Sequence, residues 1–156
     1  MRHITTLFLA LSVTISALAA DEIQFVKGMT WAQVKAKALK EKKMIFFDAY
    51  ATWCGPCKYM DNSVYTQKAA GDYYNANYIN VKMDMEAGEG ITLSEEFNVT
   101  AYPTFLFFSP EGKLVHKYVG GMEVEEFVQL GKDAKDPAKQ YFTLKEKAKK
   151  GLLSDA

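Results

Sequence analysis

The chain has 156 residues, a length that suits a single domain with one hydrophobic core. Apolar residues make up 49% of it and charged residues 24%, which is ordinary for a globular protein. Nineteen basic residues balance nineteen acidic ones, so neither nucleic acid nor an anionic membrane surface is expected as a partner.

Residues 1–20 have the features of a secretory signal peptide. A short positive start at Arg2 is followed by an apolar stretch to Leu18, and small residues precede a cleavage site after Ala19 or Ala20. An uncleaved membrane anchor is the alternative, but about 17 apolar residues is the short limit for spanning a bilayer. No cysteine follows the stretch, which excludes a lipoprotein anchor. Loss of Arg2 would leave 18 basic against 19 acidic residues, a net charge of −1.

The next segment predicts a strand, a helix and a second strand. Residues 23–26 favour a short first strand, and Thr30 is a suitable N-cap, with Gln33 completing a capping box. The continuous apolar run at residues 44–47 is typical of a central strand that is covered on both faces. Asp48 ends this run, and an unpaired ionised Asp there is costly, so we expect it to be neutral or to have a partner.

The two cysteines of the chain, Cys54 and Cys57, follow this strand with two residues between them. Gly55 permits a tight turn, and Pro56 suits the first turn of a helix, where its missing N–H is not needed. Cys54 would then lie at a helix N-terminus, where unpaired N–H groups and the helix dipole favour the thiolate. Cys57, one turn further on, can attack a mixed disulfide. The spacing therefore predicts a two-electron switch between dithiol and disulfide.

Other uses of the cysteine pair fit the sequence less well. Zinc needs four ligands, and the further histidines are His116 and His3, of which His3 would leave with the signal peptide. A c-type haem site needs His directly after the second cysteine, where Lys58 stands. A purely structural disulfide would close a very small loop and stabilise the fold little. We therefore expect no metal and no cofactor other than the cysteine pair.

The rest of the chain predicts two further helix–strand units, a hairpin and two final helices. Thr66 is the expected cap of the helix that follows the cysteine motif, and residues 78–85 and 105–108 are the expected strands. Residues 109–112 predict the hairpin turn. The last helix is expected to begin with Asp136 as N-cap and Pro137 at its first position, and to end at Gly151.

Residues 53–58, Trp-Cys-Gly-Pro-Cys-Lys, resemble the active-site motif of the thioredoxin family. Asp48, six residues before Cys54, matches the buried acid of that family. Several matches in the right order, spread over residues 31–130, are far more specific than a lone CxxC. The further matching positions are Lys82, Pro103 and Gly120.

The resemblance implies an α/β protein with the thioredoxin fold, a central mixed β-sheet flanked by helices on both faces. With the signal peptide predicted at residues 1–20, the resemblance implies two further parts, a thioredoxin-like domain (21–132) and a short C-terminal helical extension (133–156).

The same resemblance implies the roles of the site residues. Cys54 would be the nucleophile and Cys57 the resolving thiol, with Asp48 relaying the proton of Cys57 and Lys82 supporting Asp48. Pro103 would be cis and lie against the cysteines.

Substrate is expected to bind beside the cysteines in a shallow apolar groove, where the backbone of Tyr102 and Pro103 pairs with an extended segment. Tyr102 departs from the aliphatic residue typical of thioredoxins, a change that bears on substrate choice and redox potential. The residues expected to form the groove are Trp53, Gly55, Pro56, Tyr102, Pro103 and Gly120.

The Gly-Pro pair between the cysteines is similar to that of the reducing thioredoxins. It implies a reductase of disulfides. Together with the predicted signal peptide, this leads us to expect a monomeric periplasmic protein that acts on exported proteins and receives electrons from a membrane thiol transporter. The alternatives are a disulfide oxidase or isomerase, or a non-catalytic thioredoxin-like module that binds proteins.

Overall fold

The fold is known from a computed structural model, which describes residues 21–152. The predicted signal peptide at residues 1–20 lies outside the described residues. None of the helices within residues 21–152 is long and apolar enough to cross a membrane. In chain order the elements are α1 (Trp31–Glu41), β1 (Met44–Tyr50), α2 (Gly55–Tyr59), a π-helical turn (Met60–Val64), α3 (Lys68–Asn77), β2 (Tyr78–Asp84), α4 (Glu89–Glu96), β3 (Thr104–Phe108), β4 (Leu114–Val119), α5 (Val124–Lys135) and α6 (Tyr141–Lys149).

The strands form one four-stranded mixed sheet in the order β2-β1-β3-β4. Strand β1 pairs in parallel with β2 and antiparallel with β3, and β3 pairs antiparallel with β4. In this register Asp48 lies opposite Lys82 on β2 and Phe105 on β3. The predicted α/β fold with a central mixed sheet is confirmed.

Each face of the sheet carries its own hydrophobic core because successive side chains of a strand point to opposite faces. Phe46 belongs to the core beneath the π-helical turn, α3 and α5, together with Tyr74 and Phe127. Phe47 belongs to the opposite core, beneath α1 and α4, which also contains Trp31. Asp48 has the same parity as Phe46 along β1, so it lies on the face that α2 and the π-helical turn cover.

The predicted strand at residues 23–26 is wrong: only an isolated bridge forms, between Phe25 and Asn80 on the edge strand β2. Beside this bridge the N–H of Val26 donates to the carbonyl of Asn80, but the two residues before Phe25 take partners outside the sheet. The N–H of Ile23 donates to the carbonyl of Tyr65, and the N–H of Gln24 donates to the side chain of Asn75. These bonds satisfy the N–H groups of residues 23 and 24 without strand pairing. Residues 23–26 therefore cross the edge of the sheet as a strap.

Of the four predicted helix starts, those at Thr66 and Asp136 are placed differently. Thr30 and Gln33 form the expected capping box at α1. Thr66 does not cap α3, because its hydroxyl bonds back to the carbonyl of Asn62 and the helix starts two residues later, at Lys68. Asp136 caps only a turn, since its carboxylate accepts from the N–H of Ala138 and α6 starts at Tyr141.

Helix α6 packs on the outer strand β4 with none of its own residues buried. Its first N–H, that of Tyr141, donates to Nδ1 of His116 on β4 at 3.0 Å. Gly151 ends the helix in the left-handed region, as predicted, with φ at 65°. The predicted domain limit at residue 132 lies inside α5, and that division of the chain stays a prediction.

Candidate active site

Cys54 and Cys57 form a disulfide at the N-terminus of α2, with their Cα atoms 5.3 Å apart. Cys54 is the N-cap residue, and its sulfur accepts the N–H of Cys57 at 3.1 Å. Pro56 occupies the first turn, where no N–H is required. Each cysteine is only 2% exposed. The local chemistry predicted from the motif is therefore in place: a sulfur at the positive end of a helix dipole.

One wall beside the disulfide is aromatic. Tyr102 packs against the cysteines, and its ring stands edge-on to that of Trp53 at 5.8 Å between centroids. Trp53 is 66% exposed, and its indole N–H donates to the carboxylate of Glu86 at 2.8 Å. The peptide bond between Tyr102 and Pro103 is cis. An exposed apolar surface thus adjoins the sulfurs, held at one end by a hydrogen bond.

Gly120 is tied to the same loop, since its N–H donates to the carbonyl of Pro103 at 2.9 Å. Its φ of +115° is a conformation that favours glycine. Gly55 and Pro56 line an open cleft of about 450 Å³ that includes neither Trp53 nor Tyr102. The predicted groove residues therefore divide between the aromatic wall and this cleft. The remaining residues that line the cleft are Tyr59, Gly121, Met122 and Glu123.

Asp48 is completely buried, on the sheet face beneath the π-helical turn that follows α2. Its Oδ2 accepts the hydroxyl proton of Tyr65 at 2.9 Å and lies 3.7 Å from Nζ of Lys82. Its Oδ1 has no hydrogen-bond partner among residues 21–152. Burial raises the pKa of Asp48 to about 6, although Lys82 and the Tyr65 hydrogen bond act to lower it. A carboxyl with this pKa can both take up and release a proton near neutral pH.

Lys82 has a second carboxylate partner besides Asp48. Its ammonium hydrogen-bonds to Oδ1 of Asp61 and lies 4.5 Å from the ring centroid of Tyr50. The predicted pairing of Lys82 with Asp48 is present at ion-pair distance, but the direct hydrogen bond goes to Asp61.

Neither Asp61 nor Tyr65 was identified from the sequence as a site residue. Tyr65 does pack, against Phe25 at 5.2 Å, but it also holds the buried carboxyl. A signal was present: Asp61 and Tyr65 follow Cys57 by four and eight residues, which places all three near one helix face. The π-helical turn takes up one extra residue and rotates Tyr65 back toward that face.

The remaining histidine candidate has another role. His116 contacts Phe107 on β3 and the start of α6, and the structure describes no contact between it and the cysteines. Within residues 21–152 no group of three or more His, Cys, Asp or Glu side chains is arranged to hold a metal ion.

The family model named Thioredoxin matches residues 25–133 of this chain. The chain belongs to the thioredoxin family. The match includes the cysteine motif, Asp48, Lys82, Pro103 and Gly120, so it covers every position at which the sequence resembled that family.

Curated relatives include thioredoxins and disulfide isomerases. Thioredoxin-2 of Pyricularia oryzae is 37% identical over 95 residues, which are 61% of this chain and 52% of that protein. A protein disulfide-isomerase of Hordeum vulgare is 32% identical over 123 residues, which are 79% of this chain and 23% of that protein. The chain thus spans about half the length of the first relative and about a quarter of the second.

Solved structures share the fold. The solution structure of a proposed disulphide-isomerase from Bacteroides thetaiotaomicron has a TM-score of 0.65 and 37% identity, covering 75% of this chain and 98% of that one. A thioredoxin from Thermus thermophilus has the same TM-score at 18% identity, covering 74% of this chain and 89% of that one. The second likeness is one of fold alone.

Proposed function

We propose that this protein is a thiol–disulfide oxidoreductase that reduces disulfides of other proteins through Cys54 and Cys57. The observation that carries the proposal is the pairing of a disulfide at a helix N-terminus with a buried carboxyl on the sheet face beneath the π-helical turn that continues this helix. Each supplies one need of the reaction. The helix N-terminus stabilises the attacking thiolate, and Asp48 offers a base whose pKa of about 6 suits neutral pH.

The reaction starts from the reduced pair. The thiolate of Cys54 attacks one sulfur of the substrate disulfide, so a Cys54–substrate bond forms and the first substrate thiol leaves. Cys57 then gives its proton to the carboxylate of Asp48, and its thiolate attacks the sulfur of Cys54. The Cys54–substrate bond breaks, the second substrate thiol leaves, and the pair becomes the disulfide seen here. Two electrons and two protons pass from the pair to the substrate.

The aromatic wall gives the substrate a place to bind. Trp53 and Tyr102 offer an apolar surface, and the backbone at Pro103 can pair with an extended segment as an added strand. Such recognition depends on main-chain groups and one or two apolar side chains. It therefore suits many protein disulfides rather than one small molecule.

The reducing direction is supported by the Gly-Pro pair between the cysteines. Thioredoxin itself has a potential of about −270 mV, against about −120 mV for a strong periplasmic oxidant. With the predicted signal peptide, the substrates would be exported proteins in the periplasm, and a membrane thiol transporter would supply the electrons to a monomer.

Disulfide isomerisation is the second candidate. It is favoured by the solved structure from Bacteroides thetaiotaomicron, which is described as a proposed disulphide-isomerase. That protein is 37% identical, and the match covers 98% of its chain. An isomerase must leave substrates with rearranged disulfides, whereas a reductase leaves them with free thiols.

Insulin reduction by the mature protein, with dithiothreitol as electron source, tests the proposal. We expect precipitation of insulin well above the dithiothreitol background, and none above background for Cys54→Ser. Cys57→Ser, reduced and then freed of dithiothreitol before insulin is added, should trap a Cys54–insulin adduct. A rate at background would mean a non-catalytic binding module.

The reduction potential of the cysteine pair, read by thiol alkylation after equilibration in redox buffers, decides the direction. A value near or below about −230 mV supports the reductase. A value above about −180 mV, together with recovery of activity from scrambled ribonuclease, would make the protein an isomerase or oxidase instead.

A further inference from the structure

One ammonium group lies between two carboxylates beneath the active-site helix. The Nζ atom of Lys82 hydrogen-bonds to Oδ1 of Asp61, while Oδ2 of Asp48 is 3.7 Å away. Asp48 is completely buried, whereas Asp61 is partly exposed. In this arrangement the ammonium hydrogen-bonds to Asp61 and stays beyond hydrogen-bond distance of Asp48. The charge felt by Asp48 therefore depends on how strongly Asp61 holds the lysine.

The backbone brings these three groups together from separate elements. Asp48 and Lys82 are register partners on the parallel strands β1 and β2, so their side chains leave the same face of the sheet side by side. Asp61 comes from the π-helical turn above that face. The rings of Tyr50 and Tyr65 lie 4.5 and 5.7 Å from the ammonium and limit where it can move.

The lysine is held at the mouth of a cleft that leads to solvent. This cleft, of about 240 Å³, lies between the strap that precedes α1 and the π-helical turn. Asp61, Tyr65 and Lys82 line it, and Tyr65 is the residue that bonds to Asp48. Asp48 does not line the cleft itself, but Tyr65 and Lys82, the two groups in contact with its Oδ2, do. The other residues that line it are Glu22, Ile23, Gln24, Phe25, Lys27 and Thr66.

We propose that Asp61 is a positioning residue: by holding Lys82 at the mouth of this cleft, it keeps Asp48 free to accept the proton of Cys57 and release it to solvent. The inference rests on the proposed function for its meaning in the reaction. In that step the proton moves from the sulfur of Cys57 to the carboxylate of Asp48. The Cys57–Cys54 bond then forms as the Cys54–substrate bond breaks, and the proton leaves by the cleft.

The charges that act on Asp48 agree with this arrangement. Burial is the main cause that raises its pKa, and the negative charge of Asp61 adds to the rise. Lys82 and Tyr65 lower it. Without Asp61 the lysine could turn to Asp48 and hold it as a carboxylate. An ion-paired carboxylate is a weaker base for the thiol of Cys57.

The test is the titration of Asp48 in the oxidised protein, followed by the carbon-13 signal of its carboxyl. In Asp61→Asn, which keeps the shape but removes the charge, we expect the pKa of Asp48 to fall by about one unit. Asp61→Glu should restore the wild-type value. The exposed pair Lys68–Asp72 on α3 provides the matched control, so Asp72→Asn should leave the titration unchanged.

A double-mutant cycle shows whether Asp61 acts through the lysine. In a Lys82→Met background the Asp61→Asn change should shift the pKa of Asp48 far less than in the wild type. The same shift in both backgrounds would mean simple repulsion between the carboxylates, and it would overturn the positioning role. An unchanged pKa in Asp61→Asn alone would overturn it as well.

The two proposals fail separately because the oxidised protein titrates without turnover. An unaltered Asp48 titration in Asp61→Asn overturns this inference even if the wild-type protein reduces insulin. A wild-type protein that does not reduce insulin overturns the proposed function, while a shifted titration would still establish that Asp61 positions Lys82. For catalysis, the pH at which insulin reduction is half-maximal should move down with the pKa of Asp48.

Discussion

At the scale of single residues, Asp48 is a charge placed where the fold does not favour one. It sits on the central strand with one oxygen bonded to Tyr65 and the other without a partner among residues 21–152. Its pKa is about 6 in the folded protein, against about 3.9 in an unfolded chain. The native state therefore holds the proton more tightly than the unfolded state. The contribution of this proton to the free energy of unfolding is fully present below about pH 4 and is lost as the pH rises through about 6.

Replacing Asp48 by Asn should therefore stabilise the protein at neutral pH. The gain in free energy of unfolding should be on the order of 2–3 kcal/mol at pH 7.5 and much smaller at pH 4. Denaturant unfolding at the two pH values measures it, with Asp72→Asn as the exposed control. Insulin reduction should slow at the same time because the base for Cys57 is lost. An equal effect at both pH values would contradict the raised pKa.

How far the site could be predicted depended on the kind of signal each residue carries. Cys54, Cys57 and Asp48 are unusual residues for their positions, so local chemistry alone pointed to them. Asp61 is an ordinary partly exposed acid in a helical segment. Its contact with Lys82 depends on a strand pairing 21 residues away and on a π-helical turn, which no local pattern announced.

At the scale of elements, the apolar runs and the hairpin turn predicted the strands of the sheet well, because burial on both faces demands continuous hydrophobic residues. Helix ends were predicted less well. At residues 66 and 136 a good capping residue was present but bonded to a different backbone group. The strand at residues 23–26 failed because side-chain and loop partners on the sheet edge took its backbone bonds.

Helix α6 should loosen from the sheet in mild acid. His116 accepts the N–H of Tyr141 through Nδ1, so it must be neutral there. Burial lowers the pKa of His116, while Asp133 acts to raise it. The stabilisation of α6 by this hydrogen bond is therefore complete above about pH 6.5 and is lost as the pH falls through the lowered pKa of His116. Hydrogen exchange, corrected for the intrinsic rate at each pH, measures this. Protection of α6 should fall between pH 7.5 and pH 5, whereas protection of α5 should not.

His116→Asn is the matched variant for this effect. The amide oxygen of Asn can accept the same N–H but does not titrate, so protection of α6 should no longer depend on pH. If the wild-type helix is equally protected at pH 5 and pH 7.5, the histidine contact does not hold it.

At the scale of the whole molecule, one sheet carries a hydrophobic core on each face. The disulfide lies just beyond the carboxyl end of its central strand, β1. The cysteines, the carboxyl of Asp48 and the lysine all depend on β1, β2 and the helix that covers them. Helix α6 packs instead against the outer strand β4 and buries none of its own residues.

A chain that ends after Lys135 should therefore keep its redox chemistry. We expect insulin reduction within about twofold of the full chain and a loss of unfolding free energy of about 1–2 kcal/mol, as the edge of β4 and its apolar side chains become exposed. Activity and denaturant unfolding of the two lengths measure this. Loss of activity in a folded, shortened protein would show that α6 takes part in the reaction.

The two tryptophans report on different events. Trp53 is exposed beside the disulfide, where a neighbouring disulfide quenches indole emission, and its N–H is held by Glu86. Trp31 is only 4% exposed and stands edge-on to Phe47 at 5.5 Å, in the core on the far side of the sheet. Reduction of the disulfide should increase the fluorescence of Trp53, whereas the fluorescence of Trp31 should change only when the protein unfolds. The emission spectrum of the unlabelled protein thus separates reduction from unfolding in one cuvette.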